Sequence, residues 1–361
     1  MKNRIHPSWA FGLLCSVFIF SSGIFSSSLW ADEEDTPALQ VYRGVSHVHS
    51  QYSHDSNAPL GLILEKARTN DLDFVIVTDH NSMAGRNAYK PNRSHNRPLL
   101  IFGDEISTPA GHLIALGIDR EPREGMGAQD LIDWIHGQGG YAILPHPFGP
   151  KNPWRDWTVR DWDGLELYNF GHGLFEGETV ELYLRSFTES NSSLLKSSQK
   201  IPPEHFSFWD EQLSQRRVAG IAGCDAHLKR EQKWFSIALE SVTIYVIADQ
   251  LEEKEIIRAI GTGRAFMVFE VRGKASGFSF WAERGGQIFN SGDTVQAFSE
   301  VNLHVHAPAP AKIRLIRDGT VMVEGETQDI SFSSVEPGAY RVEVYLGEEL
   351  WIFSNPVYLK A

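Results

Sequence analysis

Phe74-Val75-Ile76-Val77-Thr78-Asp79-His80 is the stretch on which the fold turns. Its first five residues form a continuous run rich in β-branched side chains. That is the pattern of a strand buried on both faces, and such strands belong to parallel sheets covered by helices. An acid and an imidazole follow at once, so Asp79 and His80 stand at the carboxyl end of a buried strand. Upstream, residues 59–70 carry Leu60, Ile63, Leu64 and Ala67 at helical spacing, and residues 41–49 alternate as a strand does. Downstream, residues 99–102, 112–117, 141–144, 164–168 and 218–222 predict further strands. Residues 128–137 predict a helix closed by glycines. Strand and helix in repetition predict an α/β domain on a mostly parallel sheet, open or closed.

The chemistry-bearing residues gather at the ends of these strands. His47-Val48-His49 places two imidazoles two apart, which on a strand point to one side. Asp225-Ala226-His227 repeats that spacing after the apolar residues 218–222. Glu105 follows the strand begun at Leu99, His112 opens one strand and His146 follows another. In parallel α/β sheets the carboxyl ends of the strands converge on one face. One histidine at such a place is ordinarily a hydrogen-bonded structural residue. Six of them beside Asp79, Glu105 and Asp225 would be costly to collect without an ion to neutralise and ligate them. Imidazole with carboxylate is the donor set that suits zinc, iron or manganese.

Five motifs occur in order: His47-Val48-His49-Ser50, Thr78-Asp79-His80-Asn81, Gly103-Asp104-Glu105, Leu144-Pro145-His146-Pro147 and Gly223-Cys224-Asp225-Ala226-His227. Together they resemble the polymerase and histidinol phosphatase (PHP) family of metallohydrolases. The resemblance implies a distorted (β/α)7 barrel with two or three divalent ions (zinc, manganese or iron) at the carboxyl end of its strands. It implies one ion held by His47, His49, Glu105 and Asp225, and a second by Glu105, His112 and His146. A third would take His80, His227 and a residue of Ser53-His54-Asp55, with His54 favoured and Asp55 second. Glu105, Asp79 and Asp225 are then the candidate catalytic carboxylates, Asp79 as a neighbour of the ligands or a proton relay. Residues 163–169 and 351–356 further resemble an exported branch of carbamate and ester hydrolases that ends in a small β-domain. Glu166 and Asn169 become candidate orienters of the ligands, a solvated strand end being the alternative.

The rest of the chain frames that domain. The 361 residues hold 33 Lys and Arg against 46 Asp and Glu, a net charge of −13. No basic surplus exists to displace counterions, so a stable nucleic-acid complex is not expected; a small anionic substrate is. Arg86, Arg155 and Lys229 follow motif strands and are candidates to hold it. Lys2 and Arg4, a short apolar run and Ala31 before acidic residues have the layout of a cleaved signal peptide over residues 1–31, with a membrane anchor as the alternative. Cleavage predicts an exported protein, periplasmic or extracellular, with no membrane span. Only Cys224 then remains, so no internal disulfide is expected. Residues 32–276 form the expected metallohydrolase domain, with residues 171–211 as an insertion or lid. Residues 277–361 predict an immunoglobulin-like β-sandwich, with Asp318-Gly319 as a hairpin turn. The function expected is a metal-dependent hydrolase, first of phosphoesters and second of carboxylic esters, amides or carbamates. From another class, a metal- or carbohydrate-binding module without catalysis fits the same residues.

Overall fold

The computed structural model describes residues 40–90, 97–173, 185, 187–229 and 231–361, with the side chains of 172 and 173 left aside. The expected signal segment lies outside these residues, as do residues 174–184 and 186 of the expected insertion. From Ala38 to Ala361 the chain is one compact unit.

Seven strands carry the site: β1 (Gln40–Val48), β2 (Phe74–His80), β3 (Leu99–Thr108), β4 (Gly111–Leu116), β5 (Tyr141–Leu144), β6 (Gly164–Asn169) and β7 (Ala219–Gly223). β1, β2 and β3 pair in parallel, and so do β5, β6 and β7. β4 runs antiparallel to both β3 and β5, because only a tight turn at Pro109-Ala110 separates it from β3. The sheet is therefore mixed. The apolar run of β2 is buried along its length, as its composition requires. Backbone bonds tie the segment after β7 to the end of β1: Cys224 donates to Ser46, Ala226 to His47, and His49 to Ala226, at 3.0–3.1 Å. The outer helices lay apolar stripes on the sheet, as Ala128–His136 does with Ala128, Leu131, Ile132 and Ile135.

Two strands beyond this set, β8 (Thr243–Ala248) and β9 (Ala265–Val268), extend the sheet from the amino half of β1. The helix Glu253–Thr262 between them ends at Gly263, whose φ of 77° is the left-handed cap that glycine supplies at least cost.

The carboxyl-terminal region is all β: β10 (Ser279–Arg284), β11 (Gln287–Asn290), β12 (Thr294–Gln296), β13 (Val301–Arg317), β14 (Thr320–Ser334), β15 (Gly338–Leu346), β16 (Glu349–Ser354) and β17 (Val357–Lys360). Short strands are expected there, yet β13 and β14 form a ribbon of 17 and 15 residues. An irregularity between His306 and Ala311 lets β13 pair first with β10 and then with β15. The ribbon turns at Asp318 and Gly319, both at positive φ, as a two-residue hairpin loop demands. β16 pairs with β9, so the region continues the main sheet. At the junction the Asn355 amide bonds both the N–H and the C=O of Gly220 on β7. Buried Arg341 pairs with Asp210 and Glu343, its guanidinium over Phe206 and Trp209.

Candidate metal centre

Glu105, on β3, is the hub. Its Oε2 lies 3.0 Å from His47 Nε2, 3.2 Å from His49 Nε2 and 3.5 Å from His80 Nδ1. Its Oε1 lies 2.8 Å from His112 Nδ1 and 3.0 Å from His146 Nε2. Five imidazoles thus converge on one carboxylate that is 1% exposed. Asp225 Oδ1 adds a second acidic point, 3.5, 3.4 and 3.3 Å from His47, His49 and His227. Four overlapping sets keep donor atoms within 4.8 Å of one another: His47, His49 and Glu105; His47, His146 and Asp225; His80, Glu105 and His112; and His49, Asp55, His80 and His227.

The backbone that aims these groups is not regular. His47, His146 and Asp225 sit at φ of 66°, 31° and 47°. Residues with a Cβ enter that left-handed region at a cost, and such costs gather where function demands a direction. His47 and His49 do both reach the centre, but not by strand alternation. The β1–β2 register shifts between Val45 and Val48, and His49 lies past the strand end. The seven-residue gap from Glu105 to His112 is a hairpin that sets His112 opposite Ser107, on the same face as Glu105.

Supporting contacts fix the ligand rings. Glu166 is fully buried at the side chain and lies 2.8 Å from His47 Nδ1; it also accepts from the His146 N–H at 2.9 Å and Asn169 Nδ2 at 2.8 Å. It orients two candidate ligands at once, the arrangement by which proteins fix imidazole tautomers beside metals. Gly223 makes room for it: a Cβ there would stand 2.0 Å from Glu166 Oε1. Asp79 does not join the ligand sets. Both its oxygens are taken by Ser50, from the backbone N–H at 2.6 Å and the hydroxyl at 2.7 Å. It locks the turn after His49, where it stands as a neighbour of the candidate ligands. Ser53, absent from the sequence-based list, lies 3.3 Å from His49 Nδ1, donates to Asp55 at 2.8 Å and accepts from the His80 N–H. Of the two candidates beside it, Asp55 stands among His49, His80 and His227, with His227 Nε2 at 2.8 Å. His54 is exposed and lies tilted against His80, with ring centroids 5.0 Å apart. A turn this short cannot aim both neighbours inward.

The electrostatics are those of anionic and imidazole groups pressed together. Burial opposes charge on His49, yet hydrogen bonds to Asp225 and Glu105 raise it to about 9. His47 is likewise held well above its ordinary value: burial lowers it, and Glu166, Glu105 and Asp225 more than offset that. Glu105 and Asp225 stay well below the carboxylate range, burial being outweighed chiefly by His47. His80 falls to about 4, mainly by burial. The donor set fits divalent cations. The buried Nε2 atoms of His49 and His227 face carboxylate oxygens at 3.2 and 2.8 Å, pairs of donor atoms that an ion would take in place of a proton.

The expected anion-holding cations fare differently. Arg86 donates to Ile118 O and faces Asp119 and Glu253, so it is spent on packing. Arg155 and Lys229 are exposed. Cys224 is buried, and burial pushes its thiol up to about 12, which suits a core filler.

Residues 46–169 match the family model of the PHP domain. The match spans His47 to Asn169, and Asp225 and His227 join the set through the fold. An uncharacterized protein of Methanocaldococcus jannaschii is 28% identical over 178 residues, 46% of this chain and 97% of its own. A two-domain protein from Bacteroides vulgatus, containing a predicted PHP-like metal-dependent phosphoesterase, aligns over 88% of this chain and 96% of its own at 15% identity and TM-score 0.44. An amidohydrolase from Chromobacterium violaceum, solved with sulfate and no metal, aligns over 52% and 88% at 14% identity and TM-score 0.33.

Proposed function

We propose that this chain is a metal-dependent hydrolase that cleaves phosphoesters of small anionic substrates at a centre of two or three divalent cations. The observation that carries it is the convergence of five imidazoles on Glu105, with Asp225 and Asp55 completing the charge. His47, His49, Glu105 and Asp225 would hold one ion, Glu105, His112 and His146 a second, and Asp55, His80 and His227 a third. Bound there, divalent cations supply a water of lowered pKa and positive charge against the ester oxygens. The chain's part is to place and orient. Glu166 keeps the Nε2 of His47 turned to Glu105, Asn169 steadies Glu166, and Asp79 with Ser50 holds the turn that presents His49. The seven strands, with the β1–β7 seam, read as the distorted (β/α)7 barrel of the family, and the carboxyl-terminal region as its sandwich domain. Cleavage near Ala31 and export complete the reading; N-terminal sequencing from the native host tests it, and a start at Met1 contradicts it.

Hydrolysis of carboxylic esters, amides or carbamates is the second reading, favoured by the aromatic side chains beside the centre. The deciding experiment measures metal content of purified protein and turnover of p-nitrophenyl phosphate, its diester and p-nitrophenyl acetate with manganese, zinc or iron. Phosphoester turnover that rises with bound metal is expected. Turnover of the acetate alone would favour the second reading. Bound metal with no turnover of any would point to a binding module.

A further inference from the structure

We propose that the pocket beside His146 is a specificity subsite for a planar aromatic substituent on the substrate. This rests on the hydrolase reading and deepens it. The pocket shares His146, Glu166 and Asn169 with the metal centre and continues between Phe148, Tyr168, Lys200 and His205. A group entering it therefore remains attached to whatever the centre holds.

Its wall is aromatic. Phe148 follows His146 by two residues and stacks on His205, with centroids 4.4 Å apart and planes at 27°. Phe208 meets Phe148 edge-on at 5.3 Å, and Trp157 lies near-parallel to it at 5.9 Å. Trp157 packs on Phe208 at 4.6 Å and yet stays 42% exposed. A lone exposed tryptophan is unremarkable. Here Trp157 and Phe208 back Phe148 and His205, two rings that line the pocket, and those rings are a surface that a flat apolar group can cover. His205 is held in place by a 3.0 Å hydrogen bond from Nδ1 to Leu167 O.

Lys200 is exposed at the same pocket and offers positive charge to an anionic ester. An alkyl substituent would leave the aromatic wall unused.

The test uses the metal-loaded full chain and two non-hydrolysable anions, phenylphosphonate and methylphosphonate, read by tryptophan fluorescence and calorimetry. Phenylphosphonate is expected to bind about tenfold more tightly, the size of a good aromatic contact. Phe148→Ala or His205→Ala should collapse that ratio to about twofold, with metal content and circular dichroism as folding controls. Phe148→Leu keeps the bulk and should lower the ratio without loss of fold. Equal binding of the two anions by the wild type overturns the subsite. So does a preference that persists in the variants. If neither phosphonate binds while benzoate outbinds acetate with the same dependence on Phe148, the phosphoester reading fails and the subsite stands.

Discussion

Glu105 has five imidazole nitrogens within 3.5 Å, all facing its charge. Glu105→Gln keeps the shape but removes the charge that two ions would share, so activity should be lost entirely. Glu166→Gln disturbs only the orientation of His47 and the His146 backbone, a class of change that costs about 10–100-fold. Initial rates and metal content of the two variants check the order, and equal losses would sink the assignment of Glu105 as the hub. The charge on His49 gives a second measurable outcome. Its raised value, about 9, means that the metal-free protein carries this proton at neutral pH. A cation must displace it, and the proton held likewise on His47, so metal affinity should rise with pH through neutrality. Calorimetry at pH 7 in buffers of different ionisation enthalpy should report proton release on metal binding. No buffer dependence would contradict the raised value.

At the level of the strand, this molecule carries its own control. His-Val-His occurs at the end of β1 and again within β13, and the three residues by themselves cannot tell the copies apart. The β13 pair lies half-exposed: His304 stacks on Trp281 and bonds Ser331, and His306 pairs with Asp329. His47→Ala with His49→Ala should remove bound metal and hydrolysis together. His304→Ala with His306→Ala should leave metal content and rate near wild type. Equal damage from the second pair in folded protein would overturn the site. The comparison also marks what the sequence could disclose. Residues that follow buried strands were legible, because burial and ionisable side chains conflict unless something pairs them. The direction of β4 was not, since two short apolar runs look alike whether a hairpin or a helix joins them. The choice of Asp55 over His54 depends on a turn held by Ser53, and the inward turn of His47 on a left-handed residue, neither of which leaves a periodic trace.

Across the whole molecule, the carboxyl-terminal β region is locked to the part that carries the site by polar contacts that pattern reading does not reveal. Arg341 is 2% exposed and meets Asp210 at 2.6 and 2.7 Å and Glu343 at 2.6 Å. Arg341→Met should lower stability by about 3–5 kcal/mol, because two buried carboxylates lose their partner. Urea unfolding followed by fluorescence and circular dichroism checks this. Coincident single transitions are expected for the wild type, as residues 38–361 form one unit. A full-strength metallohydrolase domain left after deletion of residues 277–361 would contradict that unity. The Asn355 amide gives this union an order in time. It bonds the backbone of Gly220 on β7 and that of Ala265 on β9 together. Synthesis delivers the amino end first, so the Gly220 backbone of the strand that leads to Asp225 and His227 waits for its partner until Asn355 has been made. The strand that leads to two candidate ligands is thus completed by a residue 135 positions further along the chain.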